Sequence, residues 1–312
     1  MALTNGQYRH LVDVRVTSPN SIADALATRR RRATLTNDGY LFIVAADHTA
    51  RGMIGVGGQP RAMIDRRTML DRLLVALENP RVDGVLASAD ILEDLALLGA
   101  LEDRVAVGTM NRGGLAGASW ELDDRFTAYD VDHLVARGID CGKMLLRIDG
   151  NDPGTVPTLA ACAAAVGQLN DRRMLAMVEP IPYTKDEAGT AAWDDDPDAL
   201  LKAVGVCAAL GHSSAYTWLK IQATANIDEV ASMTTQPLLI LGGAPGPDPE
   251  ASFASWEHAL AQPSVRGLVV GRSLLYPADS DVASAVARAA DLVSRAAGAR
   301  SASSGEERWM AR

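Results

Sequence analysis

Two lysines stand inside stretches that otherwise read as buried strands: Lys143-Met144-Leu145-Leu146-Arg147-Ile148 and Thr217-Trp218-Leu219-Lys220-Ile221-Gln222. The chain has only four lysines, Lys143, Lys185, Lys202 and Lys220, so two of them in strands is a distinctive placement. Successive strand residues point to opposite faces. Met144, Leu146 and Ile148 share one face, which leaves Lys143, Leu145 and Arg147 on the other; Leu219 and Ile221 likewise oppose Lys220. The same parity sets Glu179 against Ala176 and Val178, and Asp47 against Val44 and Ala46. Five ionisable groups therefore face one interior, and four of them, Lys143, Lys220, Glu179 and Asp47, converge on its mouth. Burying an unpaired charge costs several kcal/mol, so such groups persist when paired or useful. One reading is an internal ion-pair network, Lys143 with Glu179 and Lys220 with Asp47. The stronger reading is a nucleophilic amine. A lysine reacts only when neutral, and burial beside a second cation lowers its pKa towards that state.

A second group of residues suits an anion. The seventh apolar run ends Leu241-Gly242-Gly243-Ala244-Pro245-Gly246 and the eighth ends Val270-Gly271-Arg272-Ser273. Glycines there let backbone N–H groups approach a phosphate, a short helix following adds its positive end, and Arg272 adds a charge-assisted bond. His48, next to Asp47, is a candidate proton shuttle or substrate contact, and Arg147 a candidate substrate contact. Tyr183 and Lys185 lie in a long loop that would close over a ligand. His10, His133, His212 and His258 lack metal-ligand spacing, so neither a metal nor another cofactor is expected. Asp194-Asp195-Asp196-Pro197 reads as a helix N-cap, and Cys141, Cys162 and Cys207 as small core residues.

These groups need a frame that brings strand ends together. Apolar runs recur at 40–46, 84–87, 105–108, 144–148, 175–178, 217–221, 238–241 and 267–270. Helical patterns alternate with them at 65–78, 91–98, 131–136, 156–169, 197–210, 227–233, 250–260 and 282–296. Eight such pairs predict an α/β fold, a single-domain (β/α)8 TIM barrel, over residues 38–297. A dinucleotide-binding fold would need a glycine-rich turn after the first strand, where Asp47-His48-Thr49-Ala50-Arg51-Gly52 stands instead. Residues 1–37 form a cap segment with a short helix over 22–28, and 298–312 a polar, disordered tail. Two loops exceed what the architecture requires, 47–60 and 180–196, and on a barrel's C-terminal face such loops wall the active site.

Composition excludes several partners. The 312 residues carry a formal charge of −9, and the one basic run, Arg29-Arg30-Arg31-Arg32, reads as a solvated helix end, so no nucleic acid is expected. No apolar stretch approaches the ~18 residues of a membrane span, and no hydrophobic signal core opens the chain. Three cysteines without a paired spacing fit a reducing cytosol. The expectation is a cytoplasmic protein, forming homo-oligomers and handling a small phosphorylated sugar or keto acid.

The ordered set resembles the class I (Schiff-base) aldolases of the deoxyribose-phosphate and tagatose-bisphosphate aldolase group, with the archaeal-type fructose-bisphosphate aldolases as relatives. The resemblance spans residues 38–296. It is carried by Asp47-His48, by Lys143 to Leu146 ahead of Asp149, by Val178-Glu179-Pro180 and by Leu219-Lys220-Ile221. Gly242-Gly243 and Gly271-Arg272 complete it. It implies that Lys220 forms the Schiff base, that Lys143 and Glu179 assist proton transfer, and that Asp47 is the acid on the first strand. The chain departs from the tagatose type at Arg147, where tyrosines are usual, and in the Gly246-Pro247-Asp248-Pro249 extension. Similarity to an actinobacterial branch tied to inositol catabolism implies 2-deoxy-5-keto-gluconate 6-phosphate as substrate, with Arg147 on its carboxylate. Fructose or tagatose bisphosphate and deoxyribose phosphate are alternatives within the class. A sugar-phosphate isomerase or epimerase, or a non-catalytic sugar-phosphate sensor, are alternatives outside it.

Overall fold

The computed structural model describes residues 2–187, 189–246 and 248–304. Two helices, α1 (Asn5–Thr17) and α2 (Asn20–Thr28), precede the first strand. The chain then alternates β1 (Leu41–Ala45), α3 (Arg66–Glu78), β2 (Gly84–Ala87), α4 (Ala89–Leu97), β3 (Val105–Thr109), α5 (Val131–Ala136), β4 (Cys141–Ile148) and α6 (Thr155–Asp171). It continues with β5 (Leu175–Lys185), β6 (Ala191–Trp193), α7 (Pro197–Ala208), β7 (Thr217–Gln222), α8 (Ile227–Ser232) and β8 (Leu238–Leu241). Last come α9 (Pro249–Leu260), β9 (Val265–Val270), the single-turn α10 (Arg272–Leu275) and α11 (Val282–Ser304). Eight strands, all but β6, pair in parallel, and β1–β9 together with β4–β5 pairing closes them into the expected TIM barrel.

Strand alternation builds two layers of core. Phe42, Val44, Met144, Leu146, Val178, Leu219 and Ile221 face the helices. Leu41, Ile43, Leu86, Val107, Cys141, Met177 and Leu239 fill the lower barrel interior. The apolar lower layer leaves only the C-terminal end of the barrel for polar groups. Local signals set the helix starts: Asp65 accepts from the Thr68 N–H, and Asp196 caps α7 ahead of Pro197, as the acidic cluster implied.

Three expectations are corrected. The N-terminal segment holds two helices rather than one. The arginine run is a solvated helix end only in part: Arg30 and Arg31 are exposed, but Arg29 is buried, donates to the carbonyls of Arg104 and Gly138, and pairs with Asp140 at 2.6 Å, while Arg32 pairs with Asp83 at 2.7 Å. These groups sit at the N-terminal ends of the strands, where carbonyls and carboxylates left by short αβ turns need donors. Leu35 packs on the interior cluster beside them and seals the floor. The stretch expected to be a disordered tail is helical as far as Ser304, and 305–312 lie outside the described residues. No helix among the described residues is long and apolar enough to cross a membrane.

Candidate active site

The sheet register explains how the charged groups meet. Leu145 pairs with Glu179 across β4 and β5, and Val178 pairs with Leu219 across β5 and β7. Glu179 is thus flanked by Lys220 one rung on, while Lys143, two residues down β4, reaches up to it. Glu179 Oε1 accepts from Lys220 Nζ at 2.9 Å, and Glu179 Oε2 pairs with Lys143 Nζ. Asp47 follows β1 just before a 3-10 turn, His48–Arg51, that Gly52 ends in the left-handed conformation (φ 77°). Its Oδ2 lies 3.7 Å from Lys143 Nζ and pairs directly with Arg112. The result is one chain of buried charges, Arg112–Asp47–Lys143–Glu179–Lys220. Lys143 pairs with Glu179, but Lys220 pairs with Glu179 as well and not with Asp47, whose Oδ2 faces Arg112 and Lys143.

Sequence reasoning missed Arg112. It stands in the loop after β3, outside any alternating pattern, so parity has no hold on it. The structural signal is Asn111, whose Oδ1 accepts the Leu145 N–H at 2.8 Å and so continues the β3–β4 ladder past the strand end. Arg112 is thereby carried over the barrel mouth. Arg51 and Glu121, on the loops after β1 and β3, also line the cavity and were not singled out.

Three cations now face two carboxylates. A buried cluster with surplus charge sheds a proton from its most acidic cation. Burial and then Arg112 push the Lys143 ammonium well below its usual pKa, against the pull of Glu179. Lys220 is lowered by burial, with Glu179 opposing and Arg112 and Arg272 adding to the shift. Burial works against ionised Glu179, but the two lysines outweigh it and hold the carboxyl well below the ordinary range. Burial, then the Arg272 charge, keeps the His48 imidazole neutral.

The cluster opens into a cavity of about 260 Å³ that Gly242, Gly243, Gly271 and Arg272 also line. A Cβ on Gly242 would run into Val270, and one on Gly271 into the Ala45 carbonyl and the His48 ring, so both turns need glycine. Gly243 has φ 67°. Because α10 is one turn long, no helix end adds to the loop amides and the Arg272 guanidinium at these turns. Arg272 has no ion-pair partner among the described residues, and its Nε is buried without an acceptor. Tyr183 and Trp193, from the β5–β6 hairpin, form another wall. Among the described residues no group of His, Cys, Asp and Glu is placed to hold a metal, and all three cysteines are buried thiols.

Two candidates lie elsewhere. Lys185 sits past the cavity wall and pairs with Asp152. Arg147 shares the inward face of β4 with Lys143 but lines no part of the cavity. It is fully buried, donates to the Glu121 carbonyl at 2.5 Å, and pairs with Asp124 at 3.3 Å under the loop after β3. It braces that loop, and the expected contact with a substrate carboxylate is corrected accordingly.

Comparison with known proteins places the chain. A profile of the Cgl0159-like family matches residues 39–290. The crystal structure of Cgl0159 from Corynebacterium glutamicum is 47% identical, with a TM-score of 0.90 over 94% of this chain and 98% of that one. An archaeal fructose-1,6-bisphosphate aldolase, solved with its catalytic lysine covalently bound to the carbinolamine intermediate of its substrate, is 15% identical with a TM-score of 0.62, covering 87% and 99%. A fructose-bisphosphate aldolase from Slackia heliotrinireducens is 14% identical with a TM-score of 0.62, covering 95% and 94%. At those identities the likeness is one of fold. A search of the curated proteins finds no match. On the extent of the profile match and the identity to Cgl0159, this chain belongs to the Cgl0159-like family.

Proposed function

We propose that the protein is a class I aldolase that cleaves a ketose or keto-acid phosphate through a lysine Schiff base. The observation that carries this reading is Glu179 held between two buried lysines, in a cavity that also contains glycine turns and an uncommitted guanidinium. An internal ion-pair network would account for the charges but not for Arg272 or the paired glycines on the same cavity. An isomerase or epimerase would use the phosphate end without needing two lysines.

In this mechanism neutral Lys220 Nζ attacks the substrate ketone. The carbinolamine loses water and leaves an iminium ion. Lys220 is the nucleophile because it is the more exposed of the two, at 7% against 1% for Lys143. Glu179, bonded to both amines, carries the proton that Lys220 gives up. Asp47 takes the proton of the β-hydroxyl; the carbon–carbon bond then breaks, and its electron pair moves into the iminium to form an enamine as the aldehyde leaves. Protonation of the enamine carbon and addition of water return the free amine and release the ketone phosphate. Proton transfer of this kind contributes about 10² to 10⁴ in rate, and the covalent iminium supplies the electron sink.

Within this class the substrate we favour is 2-deoxy-5-keto-gluconate 6-phosphate, giving dihydroxyacetone phosphate and malonic semialdehyde. With Arg147 committed to the loop, support for an acidic substrate now rests on cations that do line the cavity. Fructose and tagatose bisphosphates and deoxyribose phosphate are the competing substrates. Borohydride reduction in the presence of dihydroxyacetone phosphate, followed by peptide mass spectrometry, tests the chemistry. A reduced adduct on Lys220, absent in Lys220→Ala, is the expected result. An adduct on Lys143 would exchange the lysine roles, and no adduct with any ketose phosphate would overturn the reading.

A further inference from the structure

Three guanidinium groups line the cavity; Arg112 is paired with Asp47, and the other two differ in their commitments. Arg272 has no ion-pair partner among the described residues. Arg51 is held: its Nη2 lies 2.8 Å from Glu121 Oε1, and its Nε donates to the Gly114 carbonyl at 3.4 Å. The two arginines are near enough that the Arg51 charge, after burial, depresses Arg272. Like charges brought together at a cavity wall cost free energy that a dianion recovers.

Glu121 does not depend on Arg51. Its Oε2 accepts the Gly117 N–H at 2.8 Å, and Arg147 Nε stands 3.6 Å from Oε1. If Arg51 swings away, the Glu121 carboxylate keeps an amide and a fully buried cation. Gly114 and Gly117 precede it on the same loop.

We propose that Arg51 is a second, exchangeable guanidinium of the phosphate subsite, held by Glu121 and transferred to the phosphate of the ligand. The proposal deepens the aldolase reading, on which the identity of the ligand as a phosphomonoester rests, and it assigns Glu121 as the competitor that sets phosphate affinity. Phosphate would then be gripped by Arg272, by the amides around Gly242, Gly243 and Gly271, and by Arg51, at the cost of one surface of the Arg51–Glu121 bridge. A neutral or singly charged group would repay that cost less well, which makes the exchange a selector for dianions.

The test is calorimetric titration of inorganic phosphate into the wild-type protein, Arg51→Met, Arg51→Lys, Glu121→Gln and the Arg51→Met/Glu121→Gln double variant. Losing one charge-assisted contact weakens binding about tenfold or more in Arg51→Met. Arg51→Lys keeps the charge and falls between Met and wild type, which also covers the case in which Arg51→Met does not fold. Glu121→Gln keeps the bond from the Gly117 N–H, frees Arg51, and tightens phosphate binding severalfold. In the double variant that gain disappears. Unchanged affinity in both Arg51 variants, weaker binding in Glu121→Gln, or a gain that persists without Arg51 would each overturn the proposal, as would a wild-type protein that does not bind phosphate. Borohydride trapping is scored separately: if no lysine adduct forms while the phosphate series behaves as expected, the aldolase reading fails and the exchangeable arginine stands.

Discussion

Lys143 and Lys220 bind opposite oxygens of one carboxylate, that of Glu179. Sharing of this kind makes the two amines a single titrating unit with one counter-ion between them. Whatever removes Glu179's charge therefore acts on both lysines at once. Glu179→Gln should reduce cleavage by about 10² to 10⁴. It should also lower the pH at which Lys220 becomes reactive, because Glu179 raises the pKa of both amines. Rates of adduct formation measured against pH in the variant check both halves: less turnover, with a midpoint displaced to lower pH.

In the wild type, adduct formation should rise with pH through a midpoint below the ordinary lysine value of 10.5, because burial disfavours the Lys220 ammonium. The stability sign is the same. An amine whose folded pKa is depressed binds fewer protons folded than unfolded, so the unfolding free energy increases as pH rises between the two values. Urea titrations across the alkaline range would show it, and stability falling over that window would contradict it.

Arg112→Gln removes a cation while keeping a donor for Asp47. Since Arg112 lowers both lysines, the variant's reactivity midpoint should move up in pH relative to wild type. A merely structural Arg112 would change stability and leave the midpoint where it was. The arginine itself is drawn down by burial to about 10, so the comparison is best made below that pH.

Arg147→Met should cost about 3–5 kcal/mol in denaturant unfolding, since it leaves Asp124 buried without its cation. Ligand affinity should change through the loop after β3, equally for acidic and neutral substrates. Selective loss of acidic substrates would instead restore Arg147 to the binding site.

Gly271→Ala places a methyl group against the Ala45 carbonyl and the His48 ring. The turn must shift, and the apparent KM for phosphorylated ligands should rise about tenfold or more, with a smaller effect on kcat, because the role proposed for this turn is phosphate binding and not amine chemistry. Steady-state kinetics with a phosphorylated substrate check the split.

Much of this site is written in strand periodicity. Eight apolar runs separated by helical patterns imply a barrel, and period-two alternation puts Lys143, Glu179 and Lys220 on its inner face, since only one face of each strand can meet the helices. The glycines after the last two apolar runs, Gly242, Gly243 and Gly271, are legible from position as well. Depth along the barrel axis is another matter. Arg147 has the same parity as Lys143, yet four residues further on it lies beneath the loop after β3 instead of in the cavity. Parity gives the face, whereas the stagger of neighbouring strands and the path of the covering loop give the height. Arg51, Arg112 and Glu121 come from loops, where no period constrains direction, and Arg29 and Arg32 look solvated until the strand ends supply their acceptors. The sequence by itself determined the fold and the chemistry-bearing residues of the strands; which charges pair, which are spent on structure and which remain for a ligand were decided by tertiary structure, because pairing depends on distances between segments far apart in the chain.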